Sequence, residues 1–561
     1  MTFDNSELPL LEVRNLSVRY LAKTQPLTVV QDVSFDLRRG EILGIIGESG
    51  AGKSTVGNAI ISLLDPNFEV RGIIRFNGKA IDGANGQELQ TFRGREIASI
   101  FQDHTASLDP LMTVGAQITE TVLAANLKAC QRQAKTLAIE LMGRVGIPEP
   151  DRRYSSYPHQ LSGGQRQRIA IAIALAGAPQ IIVADEPTSA LDATVQMQIL
   201  RLLRRLVDEE MLSIILVTHD MGVISEIADR VLVMKNGQMV EQNATSSILD
   251  SPKCDYTRSL LAAVPRLRLS VNSSQPNLTQ QSEEHCQQAI PCARDEQASI
   301  LAVEGISKVF TARAAQQIFG TSSAKFALQD VSLHLARGTV AGIVGESGSG
   351  KTTIGRILAG LETADAGKVT LEGDEYEVSR NGRQNGLLGR VQMIFQDPAN
   401  SLNPRMTIAD ALAESLRFGL KTKSHKNALS VGEMMDRTGL PRSLLSRYPH
   451  QLSGGQQQRA CIARTLLARP KVVIADEPTS ALDVSVQSEI LALLKECVAE
   501  QNLSMFFISH DLAVVQDICS SVYILRNGRV EDFGPSNVIF AQSDNPYTRN
   551  LIEARPRRFI Q

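Results

Sequence analysis

Short, unbroken apolar runs, each stopped by glycine or polar residues, recur along the chain. Ile42 to Ile46 is one, ending at a Gly-rich stretch; after it, Val56 to Leu64 spaces its apolar residues at helical intervals. A continuous apolar run of that length suits a strand buried on both faces, so the pattern predicts strand, loop, helix. Ile169 to Ala184 carries no charge over 16 residues but contains Gly177, Pro179 and Gln180. That is short of a membrane span and predicts a buried helix followed by a strand. Ile181 to Ala184, Val472 to Ala475, Ile214 to Val217 and Phe506 to Ile508 predict further buried strands, each ending in polar residues.

The pattern is written twice. Lys53 corresponds to Lys351 at an offset of 298, Gln102 to Gln396 at 294, and Ser162 to Ser453, Asp185 to Asp476 and His219 to His510 all at 291. Leu11 to Tyr20 matches Leu301 to Phe310 at an offset of 290, which places extra residues around Ala314 to Ser323, between the first two strands of the second copy. A period near 290 is too long for a solenoid and fits a duplicated domain. Between the copies, Arg266 to Ala298 is rich in Ser, Gln, Asn and Glu and reads as a linker. The expected organisation is therefore a first domain over 1–265, a linker over 266–298 and a second domain over 299–561.

Composition narrows the functional classes. With 561 residues, 43% hydrophobic and 21% charged, the chain has ordinary globular content and ample core for two large domains. A formal net charge of −2 supplies no overall pull toward nucleic acid. No secretory signal or membrane span is visible, so any membrane role needs partner subunits. The odd count of seven cysteines argues against a disulfide framework and leaves most of them as small buried residues.

The candidate chemistry lies at the predicted strand ends. Gly47, Glu48, Ser49, Gly50, Ala51, Gly52, Lys53, Ser54 and Thr55 follow the first strand, and Gly345, Glu346, Ser347, Gly348, Ser349, Gly350, Lys351, Thr352 and Thr353 repeat them. Glycines let backbone amides turn inward to phosphate oxygens, the helix N-terminus adds positive potential, and the lysine reaches the terminal phosphates. Ser54 and Thr352 are placed to ligate Mg²⁺. By chance such a pattern should occur about 0.02 times in a chain this long. Asp185-Glu186 and Asp476-Glu477 end apolar strands: the first acid of each pair is expected to hold Mg²⁺, the second to polarise the attacking water. His219 and His510 are expected to sense the γ-phosphate.

Leu161-Ser-Gly-Gly-Gln-Arg-Gln-Arg168 and Leu452-Ser-Gly-Gly-Gln-Gln-Gln-Arg459 resemble the signature motif of ABC-transporter ATPases, and the resemblance covers almost the whole chain. It implies an α/β fold: two tandem P-loop NTPase domains, each a RecA-like mixed sheet core with a helical subdomain and a small antiparallel sheet. It further implies ATP sites in which Ser162, Gly163 and Gly164 serve Lys351, while Ser453, Gly454 and Gly455 serve Lys53. Tyr20 and Phe310 would stack on adenine, although a strand-end aromatic is more often core. Gln102 and Gln396 would contact the metal and couple the nucleotide to a membrane subunit.

The sequences after those glutamines, Ser107-Leu-Asp-Pro-Leu-Met-Thr113 and Ser401-Leu-Asn-Pro-Arg-Met-Thr407, look like the oligopeptide, dipeptide and nickel import branch. So do Tyr157-Pro-His-Gln160 and Tyr448-Pro-His-Gln451, whose His159 and His450 are expected to pack the helical subdomain. The extensions beginning Tyr256-Thr-Arg and Tyr547-Thr-Arg belong to the same pattern, although Cys254-Asp255 replaces the usual His-Pro in the first. Some relatives hold an iron-sulfur cluster here; Cys286 and Cys292 match part of that spacing, but Ser299 stands at the next position and no cluster is expected. The resemblance thus implies an ATP- and Mg²⁺-dependent ATPase at the cytoplasmic face of the inner membrane, driving import through two transmembrane permeases supplied by an extracytoplasmic solute-binding protein. The alternative is a soluble twin-cassette ATPase acting on ribosomes or nucleic acid.

Overall fold

A computed structural model describes residues 9–21, 26–81, 92–103, 106–125, 130–189, 191–269, 299–310, 325–379, 386–419, 430–480 and 482–555. The segment with Cys286 and Cys292, and the insertion around Ala314 to Ser323, lie outside them. The chain divides into two compact units, one built on Met1–Val264, the other on Pro265–Leu482 and Val486–Ala554.

In the first unit the strands are β1 (Leu11–Tyr20), β2 (Leu27–Leu37), β3 (Ile42–Ile46), β4 (Phe68–Phe76), β5 (Lys79–Ala80), β6 (Ile97–Ile100), β7 (Ile181–Asp185), β8 (Ser213–Thr218), β9 (Arg230–Lys235) and β10 (Gln238–Ala244). An antiparallel sheet runs β2-β1-β4-β5. A six-stranded sheet runs β10-β9-β3-β8-β7-β6, parallel except for β10. All five residues of β3 are buried, as a central parallel strand requires. Leu43 and Ile45 face the core shared with Val13, Leu16 and Phe35 of the antiparallel sheet. Gly44, on the opposite face, lets the helix Met221–Ile227 close in: a Cβ there would lie 2.3 Å from Ile224 Cδ1. The helices Val114–Ala125, Gln131–Arg144 and Gly163–Leu175 pack together as a helical group.

The second unit repeats the plan with β11 (Ser299–Phe310), β12 (Lys325–Ala336), β13 (Val340–Val344), β14 (Ala366–Leu371), β15 (Asp374–Glu377), β16 (Val391–Ile394), β17 (Val472–Asp476), β18 (Ser504–Ile508), β19 (Ser521–Arg526) and β20 (Arg529–Pro535). Its sheets run β12-β11-β14-β15 and β16-β17-β18-β13-β19-β20. The helices Ile408–Phe418, Val431–Arg437 and Gly454–Leu467 form its helical group.

Three local expectations are amended. The helix predicted over Val56 to Leu64 spans Lys53–Ile60: it starts within the glycine loop and stops before Ser62, whose φ of 54° is left-handed. His159 and His450 are exposed and stack on Tyr157 and Tyr448, with centroids 5.7 and 5.8 Å apart, so they do not pack the helical group. The stretch read as linker is docked at its start. Leu267 is fully buried in the second unit's core, Arg268 N–H donates to Gln516 Oε1, and Gln516 Nε2 donates to the Arg268 carbonyl, both at 2.7 Å. Of the described cysteines, Cys461, Cys497 and Cys519 are buried, whereas Cys130 is exposed and Cys254 intermediate. Among the described residues no helix is long and apolar enough to cross a membrane.

Candidate active site

Each unit gathers its phosphate loop, glutamine, acid pair and histidine at the carboxyl ends of its parallel strands, whereas Tyr20 and Phe310 end antiparallel strands and Ser162 and Ser453 open helices of the helical groups. Residues 47 to 52 run from β3 into the helix Lys53–Ile60, and residues 345 to 350 from β13 into the helix Lys351–Leu358. Gly52 and Gly350 cap these helices at φ of 92° and 105°. A Cβ at either would also lie 2.9 Å from Val29 O or 2.6 Å from Ala327 O, so only glycine fits.

Lys53 and Lys351 are each only 6% exposed. Lys53 Nζ donates to the carbonyls of Gly47 (2.8 Å) and Glu48 (2.9 Å), and Lys351 Nζ to those of Gly345 and Glu346 (2.8 Å each). Burial lowers the Lys53 pKa, against the pull of nearby Glu186 and Asp185. A desolvated ammonium held by backbone carbonyls is ready to exchange them for an anion.

Beside each loop stands the metal-type pair. Ser54 hydrogen-bonds Asp185 and Thr352 hydrogen-bonds Asp476. Burial raises both carboxyls, that of Asp476 to about 6. Oδ1 of both aspartates is buried with no hydrogen-bond partner among the described residues. An orphaned carboxylate oxygen beside a hydroxyl, close to the phosphate loop, fits the oxygen-ligand preference of Mg²⁺.

The next residue is held from two sides. Gln102 Nε2 donates to Glu186 Oε2 and His219 Nδ1 meets Glu186 Oε1, both at 2.7 Å. In the second unit Gln396 Nε2 donates to Glu477 Oε2 at 2.9 Å and His510 Nδ1 meets Glu477 Oε1 at 3.1 Å. Burial would raise both glutamate pKa values, but the histidine bonds and nearby charge win and hold them below the usual range. The histidines are raised in turn, since the glutamate contacts outweigh desolvation. Both glutamates adopt left-handed backbone, φ 47° and 45°. That conformation costs a non-glycine residue about 1–3 kcal/mol and clusters at functional sites. It is fixed by Glu186 N–H donating to Val217 O (2.8 Å) and Glu477 N–H to Ile508 O (2.9 Å).

Tyr20 and Phe310 are 39% and 49% exposed, which removes the core alternative. Tyr20 is backed by Phe68 (centroids 5.1 Å apart), whereas Lys308 Nζ lies 5.4 Å from the Phe310 ring. Ser162 and Ser453 each cap their own helix, accepting from Gln165 N–H (3.3 Å) and Gln456 N–H (3.4 Å), so the Gly163–Gly164 and Gly454–Gly455 turns open helix N-termini. Sequence reasoning missed two residues that reach the loops, Tyr256 and Tyr547: the Glu48 and Glu346 amides donate to their hydroxyls.

The sequence pattern of the family described as ABC transporter matches residues 30–189 and again 328–480, covering both loops and both acid pairs. This chain belongs to the ABC transporter family. A second pattern, the oligopeptide/dipeptide transporter C-terminal region, matches 240–297 and marks the branch. The glutathione import ATP-binding protein of Escherichia coli is 39% identical over 97% of this chain and 89% of its own length. The peptidoglycan transport ATP-binding protein of Agrobacterium fabrum is 38% identical over 97% and 96%. A solved dimeric ATP-binding cassette bound to ADP and Pi is 30% identical, covers 42% of this chain and 98% of its own, and has a TM-score of 0.39. As a member of this family the chain is the ATP-binding and ATP-hydrolysing subunit of an ABC importer, and the ribosome or nucleic-acid alternative is set aside.

Proposed function

We propose that this twin-cassette ATPase energises uptake of a small peptide-like solute, in the range from glutathione to short peptides, with two competent hydrolytic sites. The observation that carries the two-site reading is the repetition of the lysine, aspartate, glutamine, glutamate and histidine contacts in both units. The solute class is supported by the relatives named for glutathione import and peptidoglycan transport, which align over nearly the whole chain, and by the oligopeptide/dipeptide pattern.

In each site the loop amides and lysine would bind the triphosphate. Ser54 with Asp185, and Thr352 with Asp476, would hold Mg²⁺, which when bound neutralises charge on the phosphate oxygens. Glu186 and Glu477, kept ionised by their histidine contacts, would orient the attacking water and accept its proton. Gln102 and Gln396 would aim the glutamates, and His219 and His510, through their Nδ1 contacts, would favour the anionic form of each.

The chain would work at the cytoplasmic face of the inner membrane, docked on two permeases fed by an extracytoplasmic binding protein. Uptake by proteoliposomes holding the chain with candidate permeases tests this, using labelled glutathione and di- to pentapeptides. ATP-dependent accumulation of one of them is expected; ATP turnover that no such solute or binding protein stimulates would contradict the peptide-like class.

A further inference from the structure

The C-terminal extension of each half reaches back to its own phosphate loop. The helix Asp255–Ala262 brings Tyr256 to within 3.3 Å of the Glu48 amide, which donates to its hydroxyl from 208 positions away. The helix Pro546–Glu553 does the same for Tyr547 and the Glu346 amide, again at 3.3 Å. Each amide belongs to a peptide whose carbonyl is held by the loop lysine, through Gly47 O and Gly345 O at 2.8 Å. The C=O and N–H of one trans peptide point in opposite directions. Lysine and tyrosine therefore clamp a single peptide plane from its two sides.

The tyrosine rings are themselves fixed. Lys235 Nζ sits 4.5 Å from the Tyr256 ring centroid, and Arg526 Cζ 4.7 Å from that of Tyr547. These cations end β9 and β19, and the residues just before them press on the loops: a Cβ on Gly47 would lie 2.3 Å from Met234 O, and one on Gly345 2.1 Å from Leu525 O. Strand end, extension and loop thus meet at one junction. In the second unit Thr548 Oγ1 anchors the helix further by donating to Asp532 Oδ2 at 2.8 Å. The junction recurs with Lys exchanged for Arg, so the geometry does not depend on one cation type.

We propose that Tyr256 and Tyr547 are positioning residues of the two phosphate loops, making each C-terminal extension part of its nucleotide site. When the lysine leaves its carbonyls for a phosphate, one side of the peptide clamp is released. The tyrosine hydroxyl is what then keeps the Gly47–Glu48 or Gly345–Glu346 peptide, and the amides after it, in the binding orientation. The proposal rests on the reading of these loops as ATP sites.

The test uses the full chain with Tyr256→Phe, Tyr547→Phe and the double variant, which remove only the hydroxyls and leave ring packing and the cation contacts. A neutral hydrogen bond contributes modestly, so the double variant should raise the KM for MgATP and the Kd for MgADP about three- to tenfold. Turnover number should stay within twofold, and the melting midpoint without nucleotide should fall by no more than about 2–4 °C, the share of one hydrogen bond per unit. Unchanged KM and Kd, or a fall in kcat at constant KM, overturns the proposal. A larger fall in the nucleotide-free melting midpoint, one that accounts for the weaker binding, also overturns it, because the tyrosines are then merely structural. The Lys53→Ala, Lys351→Ala double variant separates the two levels: retained MgADP binding there defeats the ATP-site reading itself. Lost binding there, with unaltered tyrosine variants, defeats only the role proposed for the hydroxyls.

Discussion

The metal-type acid of the second site is held at the expense of stability, and Asp476→Asn exposes that cost. Asp476 is 2% exposed, and burial lifts its pKa from 3.8 to about 6 despite the Thr352 hydrogen bond. The folded value lies above the unfolded one, so the folded chain binds the proton more tightly. Stability from this group is greatest below pH 3.8 and is lost as pH rises through about 6. With about 1.4 kcal/mol per pKa unit, the full loss is about 3 kcal/mol, of which about 1 kcal/mol falls between pH 5 and pH 7. Asparagine does not titrate. Its buried amide lacks a partner for Oδ1's position and carries its own penalty, but that penalty is independent of pH and cancels in the slope. The stability of Asp476→Asn relative to the parent chain should therefore grow by about 1 kcal/mol from pH 5 to pH 7, or about 2–4 °C in the second unit's melting midpoint. The measurement is thermal unfolding of the full chain without nucleotide and with a chelator, at pH 5, 6 and 7. A difference that is flat with pH, or that shrinks toward pH 7, would refute the claim that burial holds this carboxyl up.

Other substitutions probe the remaining parts of the frame. Gly177→Ala places a Cβ 1.5 Å from Gly94 O, a backbone atom that cannot yield cheaply, and should destabilise the first unit by about 3 kcal/mol in urea unfolding. His219→Ala removes the 2.7 Å contact that keeps Glu186 anionic, and should slow hydrolysis at that site by about 10²-fold, read as steady-state phosphate release from an Glu477→Gln background. The same substitution has a pH signature in melting experiments. The raised histidine stabilises fully below pH 6.5 and less as pH climbs through its folded value; the depressed glutamate stabilises fully above pH 4.5 and less as pH falls through its own. His219→Ala should accordingly lower the melting midpoint most between pH 4.5 and 6.5; an equal drop at pH 9 would contradict the pairing.

What the sequence disclosed, and what it withheld, follows the range of the interactions. The run Ile42 to Ile46 and the acid-ended strands Ile181–Asp185 and Val472–Asp476 were legible because burial on both faces leaves a continuous apolar signature. Repetition made the loop residues legible, since the same spacing occurs in both halves. The helix after Lys53 was misplaced because its start is set by a left-handed glycine and its end by Ser62, while the apolar spacing begins only at Val56 and runs past Ser62. His159 and His450 were expected to pack the helical group, but each sits in a one-turn 3-10 helix that turns the ring outward onto a tyrosine, which the motif leading into the signature does not announce. Leu267 was hidden because the alternation it opens, Leu267, Leu269 and Val271, is brief and runs straight into a stretch rich in Ser, Gln, Asn and Glu. The left-handed backbone of Glu186 and Glu477 and the return of Tyr256 and Tyr547 to the loops are tertiary facts with no local pattern to announce them.

The two-site claim is tested most directly by phosphate release from the full chain carrying Glu186→Gln, Glu477→Gln or both. Each single variant should retain a readily measured part of the parent rate, and the double variant should fall by at least about 10²-fold. A single variant as inactive as the double would contradict two competent sites, and a double variant near the parent rate would remove these glutamates from the chemistry altogether.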